Sequence, residues 1–201
     1  MMREAFLDFM ETHLEENTVL IACGLPASYK TETTEVIAEL KGYIILRTDM
    51  IRLEVLKGED IFDEKVAANM DKRHLVYDEM FRMASEIAQK GGSLVLDATF
   101  VTQSLRRRAA EVAANHNKSF VIQETQCPQE VSIRRIMARS KENYESNALT
   151  KQAYLNNKNK FEKVDLEDLI SRHPQLRIAH LVVDTTSDLK EEWAVIKEVR
   201  L

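Results

Sequence analysis

Glycine is scarce in this sequence: 5 among 201 residues, where average usage near 7% gives roughly fourteen. Glycine-rich, loop-heavy sandwiches are thereby excluded, and any loop that wraps a phosphate has to do so with few flexible residues. Two cysteines, Cys23 and Cys127, are too few for a disulfide framework and lack zinc-ligand spacing. Three prolines and no Pro/Gly/Ser-rich stretch leave no linker, and no internal repeat is present, so one domain is expected over residues 1–201. No apolar run approaches the ~20 residues of a membrane span. The opening MMREAFLDFMETHLEE is acidic and amphipathic, with neither the basic start nor the apolar block of a secretory signal. A cytoplasmic protein without membrane partners is the expectation. The formal charge of −5 argues against a broad nucleic-acid surface and leaves room for a local basic pocket.

Hydrophobic residues make up 44% of the chain, and their spacing alternates between two periods. Short Val/Ile/Leu-rich runs occur at Thr18–Cys23, Tyr43–Leu46, Ser93–Leu96, Phe120–Ile122 and Ile178–Val183. Such runs suit strands buried on both faces of a parallel sheet. Helical spacing lies between them. Phe6, Phe9, Met10 and Leu14 give an N-terminal helix within residues 1–16 one apolar stripe. A long pattern from Asp63 to Gln89 is stopped by Gly91-Gly92. Further helices are expected at Gln103–Asn115, Pro128–Ser140, Thr150–Phe161, Leu166–Arg172 and Leu189–Val199. This alternation predicts βαβ units in a three-layer α/β/α sandwich, with ligands at the carboxyl ends of the strands.

The strand ends carry the chemistry. After the first strand comes Gly24-Leu25-Pro26-Ala27-Ser28-Tyr29-Lys30-Thr31-Glu32, the spacing of the phosphate loop G-x-x-x-x-G-K-[ST] with Tyr29 at the second glycine. In that motif backbone N–H groups surround the phosphates, the lysine reaches the terminal ones and the hydroxyl ligates Mg2+. The same string also fits an ordinary strand–helix turn. The second strand leads to Asp49 and, one helical turn on, Arg52. A carboxylate there can take the proton of an attacking hydroxyl, and an arginine can hold an anionic group of the acceptor. A helix-capping aspartate beside a solvated arginine is the plainer alternative. The third strand closes on Asp97-Ala98-Thr99, where a carboxylate either serves Mg2+ and the acceptor or caps the helix beginning near Gln103. Ser132, Arg135 and Arg139 share a helical face before the irregular stretch Lys141–Leu149, which suits a lid over residues 140–165. The run Arg106-Arg107-Arg108 has no pattern tying it to a site and reads as solvated surface.

In series, GLPASYKT, RTDMIR with its D-x-x-R, LVLDATF and RRIMAR resemble the P-loop kinases of the zeta-toxin and polynucleotide-kinase type, an AAA-domain group, with gluconate and shikimate kinases more distant. FEKVD, at Phe161–Asp165, extends the likeness, which spans nearly all of the chain after the N-terminal helix. The resemblance implies a five-stranded parallel sheet of order 2-3-1-4-5 with a helical lid. It also implies transfer of the γ-phosphate of ATP to a hydroxyl of a small molecule, or of a nucleoside or polynucleotide. Gly24, Ala27, Ser28, Tyr29, Lys30, Thr31 and Glu32 would cradle the nucleotide, with Thr31 and Asp97 serving Mg2+. Asp49, Arg52, Asp97 and Thr99 would face the acceptor. Lys30, Asp49, Arg135 and Arg139 would carry catalysis, Asp49 as the base and the two lid arginines on the donor phosphates. Ala27 and Tyr29 depart from the family's glycines, so the Tyr29 side chain has to point away from bound nucleotide. That departure keeps a second reading open, a nucleotide-sensing or partner-binding protein without catalysis.

Overall fold

A computed structural model of the protein describes residues 2–59, 69–138 and 150–201. In chain order the elements are β1 (Glu4–Ala5), α1 (Phe6–His13), β2 (Thr18–Gly24), α2 (Lys30–Lys41), β3 (Ile44–Arg47), α3 (Thr48–Val55) and α4 (Met70–Gln89). They continue with β4 (Leu94–Asp97), α5 (Gln103–Asn115), β5 (Ser119–Gln126), α6 (Gln129–Met137), α7 (Lys151–Lys160), α8 (Leu166–Arg172), β6 (Ile178–Asp184) and β7 (Ala194–Arg200). The expected start of the long helix at Asp63 and the stretch Lys141–Leu149 lie outside the described residues.

One sheet runs β1-β7-β6-β5-β2-β4-β3. Its five parallel strands, β2 to β6, follow the expected order, and β7 and β1 add two antiparallel strands beyond β6. The sheet is therefore mixed and seven-stranded, and the helix expected at Leu189–Val199 is instead a single 3-10 turn at Lys190–Glu192 followed by β7. Leu189, Trp193 and Ile196 have helical spacing. The β-branched Val195, Ile196 and Val199, however, suit a pleated strand, and β6 would otherwise be left as an open edge.

The central strand β2 is buried at every position and feeds two cores. Val19, Ile21 and Cys23 meet Met80, Phe81 and Ala84 of α4, Ala109 and Ala113 of α5, and Leu169 of α8 on one face. Leu20 on the other face joins Phe6, Phe9 and Met10 of α1, Ile37 of α2, and Trp193. Helix starts are fixed by side chains: Asn69, Thr102, Thr150 and Asp165 each accept an N–H from the first turn of α4, α5, α7 and α8. Gly91, at φ 86°, ends α4 in the left-handed conformation, as the glycine pair predicts. Among the described residues, no helix is long and apolar enough to cross a membrane.

The first residue of the arginine run, Arg106, is not solvated surface, whereas Arg107 and Arg108 are partly exposed. Residues 103, 106, 109, 110 and 113 form the inward stripe of α5, so Arg106 is fully buried in register with three alanines that leave it room. Its Nη2 donates to the Glu162 carbonyl (2.8 Å), its Nη1 to Gln103 Oε1 (3.3 Å), and its guanidinium lies 5.1 Å from the Phe161 ring centroid. Arg107 clasps Asp168 of α8 with two bonds (2.7 and 2.8 Å). Arg107, helped by Gln103 and Arg172, holds the Asp168 carboxyl well below the usual carboxylate range against the opposing effect of burial. A depressed pKa contributes stability that is complete above the unfolded-state value and disappears as pH falls through the folded-state one. In urea melts, Asp168→Asn should therefore lower stability at neutral pH and flatten its decline between about pH 4 and pH 2. An unchanged acid limb would contradict that assignment.

Candidate active site

Gly24 ends β2 at φ 143°, where a Cβ would stand 2.6 Å from both the carbonyl and the hydroxyl of Thr125 on β5. Only glycine lets the two strands close at this point. The loop then passes through Ala27 (φ 59°) and Tyr29 (φ 57°), both left-handed. Each such residue costs about 1–3 kcal/mol and persists only where its surroundings impose it. Ser28 between them is buried, donates to the Leu25 carbonyl (2.8 Å) and shares a 2.6 Å hydrogen bond with Thr125 Oγ1. The Ser28 carbonyl accepts from Thr185 Oγ1 (3.0 Å). Ala27 packs with Ile136 of α6 and Tyr154 of α7, so the first described helix of the expected lid rests on the loop. The Tyr29 ring lies 5.4 Å from that of Trp193, and its hydroxyl donates to Asp188 Oδ1 (2.9 Å). Its side chain is thus held at the β6–β7 connection.

Helix α2 begins at Lys30, and its first turn holds Thr31 and Glu32. Lys30 Nζ donates to the Leu25 carbonyl (2.8 Å), folding back over the loop. Thr31 Oγ1 donates to Asp97 Oδ2 (2.8 Å) at the end of β4. Asp97 is buried, and burial pushes its carboxyl up, opposed by the Thr31 hydrogen bond and the charges of Lys30 and Arg47; the charge of Asp49 pushes the same way as burial. The phosphate-loop lysine, the threonine and both strand-end aspartates therefore share one electrostatic site. Thr102, not Asp97, caps α5, which removes the capping alternative. Arg47 lies opposite Asp97 in the β3–β4 register, with its buried Nε 3.6 Å from Asp97 Oδ2 and without a hydrogen-bond partner among the described residues.

A hydroxyl and a carboxylate, completed by phosphate and water oxygens, form a donor set that suits Mg2+, which takes only one or two protein ligands in nucleotide sites. Among the described residues, no group of three or more His, Cys, Asp or Glu is placed to hold a metal, and this site does not require one. The hard oxygens and the buried, neighbour-bonded carboxylate fit the ion.

Asp49 lies in the first turn of α3, where Arg47 and not Asp49 is the N-cap residue; its Oδ1 receives Arg52 Nη1 at 2.5 Å. Thr99 stands beside the phenol of Tyr77 on α4. Burial raises the Tyr77 pKa, while the Thr99 hydrogen bond and the charges of Arg73 and Arg52 lower it. Tyr77 itself is buried in the core, packed with Phe81 and Phe100.

The lid arginines fare differently. Arg139 lies outside the described residues. Arg135 is close to the loop, but its donors are occupied by the protein: Nη1 bonds the Ala27 carbonyl (3.2 Å) and Nε the Asp188 carboxylate (2.8 Å). Nη2 bonds the carbonyls of Thr185, Thr186 and Ser187 (3.0, 3.0 and 3.1 Å). Its side chain is 8% exposed. Both cysteines are free thiols, and burial pushes Cys23 up to about 12, which makes it an inert core residue.

The family model described as AAA domain matches residues 19–164. No curated protein matches the sequence. Among solved structures, the chain is similar to an unliganded sugar kinase from Janibacter sp. (16% identity, TM-score 0.58, 85% of this chain and 86% of that one). It is also similar to a gluconokinase from Sinorhizobium meliloti (18%, TM-score 0.54, covering 85% and 84%). A third is the complex of AvrRxo1-ORF1 and AvrRxo1-ORF2 with ATP (17%, TM-score 0.56, 97% of this chain and 62% of that one). With the loop, its lysine and threonine and the strand-end aspartates arranged on this sheet, the chain belongs to the AAA domain family and has the fold of its P-loop kinase-like members.

Proposed function

We propose that the protein binds ATP with Mg2+ and transfers its γ-phosphate to a hydroxyl of a small acceptor. The observation that carries this reading is the 2.8 Å bond between Thr31 and Asp97 beside the phosphate-loop lysine. That pairing serves nucleotide chemistry and has no role in capping either neighbouring helix. Lys30 and the N–H groups that open α2 would receive the phosphates. Mg2+ on Thr31 and Asp97 would neutralise charge between the terminal phosphates. Asp49 would accept the acceptor's proton as the hydroxyl oxygen bonds to the γ-phosphorus and the bond to the bridging oxygen breaks, releasing ADP. Arg52, bonded to Asp49, favours an acceptor that also bears a carboxylate or phosphate. The sugar kinase and gluconokinase neighbours are in keeping with a polyhydroxylated acceptor, and the neighbour holding ATP with the nucleotide. The charge of −5 favours a small molecule over a polynucleotide, and a cytoplasmic setting supplies ATP.

Calorimetry with millimolar ATP and Mg2+ tests the first step; absence of heat would end this reading. Asp49→Asn tests the second. It should leave ATP·Mg2+ affinity within about threefold while lowering turnover by about a hundredfold or more, the scale of general-base loss. Turnover equal to wild type would remove Asp49 as the base. A second reading, nucleotide sensing without transfer, draws on the saturation of Arg135 by protein acceptors. Tight ATP·Mg2+ binding without ADP formation across a panel of hydroxy acids and sugars would favour it.

A further inference from the structure

Ala27 and Tyr29 hold left-handed conformations that side chains disfavour. Glycine at either position would merely permit such a turn. Tyr29 differs because its side chain is gripped. The Arg135 guanidinium lies 3.9 Å over its ring, Trp193 packs at 5.4 Å with its ring tilted by 34°, and Asp188 accepts from its hydroxyl at 2.9 Å. The same Arg135 reaches the other left-handed residue through the Ala27 carbonyl (3.2 Å). One guanidinium therefore ties both strained positions of the loop to each other and to the carbonyls of Thr185, Thr186 and Ser187. Those carbonyls belong to the β6–β7 connection, which is itself braced: Trp193 Nε1 donates to the Ser187 carbonyl (3.0 Å) and Thr185 Oγ1 to the Ser28 carbonyl (3.0 Å). Tyr29 is only partly buried, yet its side chain is held by Asp188 and Trp193 of this connection and by Arg135, which is itself bonded to the connection.

We propose that Tyr29 and Arg135 are positioning residues for the nucleotide: together with Asp188 and Trp193 they hold the phosphate loop in its binding conformation before ATP arrives. The proposal rests on the nucleotide-binding reading above. It turns the missing glycine from a defect into an exchange, in which backbone freedom is replaced by a side-chain anchor. It also gives Arg135 a task other than contact with the donor phosphates. A loop ordered in advance loses less entropy when it binds.

The test is calorimetry of ATP·Mg2+ binding to the wild-type chain, Tyr29→Gly, Tyr29→Phe and Arg135→Lys. Acrylamide quenching of Trp193, the one tryptophan of the chain, is measured alongside. Tyr29→Gly relieves the backbone but releases the anchor, so affinity should fall about tenfold with a less favourable entropy. Quenching of Trp193 should rise in the nucleotide-free variant as the Tyr29 ring leaves it. Tyr29→Phe keeps both ring contacts and should restore affinity to within about threefold of wild type. Affinity in Tyr29→Gly equal to or above wild type overturns the proposal. If circular dichroism finds Tyr29→Gly unfolded, Arg135→Lys decides: it keeps the charge but loses the planar fork and the stacking. A loss of about tenfold there supports the anchor, and unchanged affinity overturns it. Wild-type protein that gives no heat with ATP·Mg2+ overturns the proposal and the nucleotide reading together. Wild-type binding with an unaffected Tyr29→Gly overturns the proposal alone.

Discussion

Lys30→Ala should weaken ATP·Mg2+ binding by about thirtyfold to a hundredfold and lower turnover by about a thousandfold. The estimate follows from the residue's place. Lys30 opens α2 with its ammonium against the Leu25 carbonyl at 2.8 Å, beside the Thr31–Asp97 pair. A hydrogen bond to a charged partner contributes about 1.5–3 kcal/mol, and the lysine supplies more than one to a triphosphate. The larger loss in turnover reflects charge that grows on the transferring group, where removal of one preorganised donor costs about a hundredfold to a thousandfold. Folding should be little affected, because a neutral alanine in a first helical turn is well tolerated. Titration calorimetry and a coupled ADP assay measure the two effects, and a thermal melt within about 3 °C of wild type separates them from unfolding. A variant that binds ATP·Mg2+ as tightly as wild type would remove Lys30 from the site.

The largest effect on stability is expected at Arg106, far from any motif. Arg106→Ala removes a fully buried guanidinium from among Glu162, Gln103 and Phe161 and leaves their polar atoms without it. The positive charge also offsets Glu124, whose carboxylate is further held by His180 at 3.0 Å across β5 and β6. Breaking a buried charge arrangement of this kind costs about 3–5 kcal/mol, and the vacated volume adds to it. For a chain of this size the melting temperature should fall by roughly 6–20 °C. Arg106→Lys should recover little, since an ammonium cannot span the Glu162 carbonyl and Gln103 Oε1 as a planar fork does. Arg106→Met restores volume without the charge, and should lie between the two wherever packing carries part of the effect. A shift below about 3 °C for Arg106→Ala would show that the cluster relaxes around the loss.

Arg106 also explains why FEKVD is informative in the sequence. Phe161 and Glu162 clasp its side chain, and Val164 enters the core beside Leu169 and Ile178. The chain thus returns from α7 to α8 over a buried cation. In the sequence this cation stands among two other arginines, and only the alanine stripe of α5 distinguishes it. The reading of that run as solvated surface fails at Arg106 because charge alone is weighed there and helical phase is not.

Much of the fold is local and was therefore legible. The runs at β2, β4 and β6 have one period and the segments between them another, and period reports which faces are buried. Gly24, Lys30 and Thr31 stand at fixed offsets from the end of β2, so the phosphate loop follows from spacing, as do Asp49 and Asp97 from their strand ends. Features decided by partners far along the chain were not legible. Leu189–Val199 has spacing that fits a helix, and the open edge of β6 makes it β7. Arg135 has the position of a lid arginine, and carbonyls about fifty residues later take its donors.

Taken alone, the sequence determined the βα alternation, the order of the parallel strands through the family likeness, and the residues offered at each strand end. Period and spacing are properties of consecutive residues, and they need no knowledge of what lies opposite. The tertiary structure decided which offered groups are engaged and how a loop nearly without glycine keeps its shape. Tyr29 and Asp188 are 159 positions apart, and no local pattern connects them. Their contact exists because the phosphate loop and the β6–β7 connection meet at one end of the sheet, where the ends of β2 and β6 flank β5.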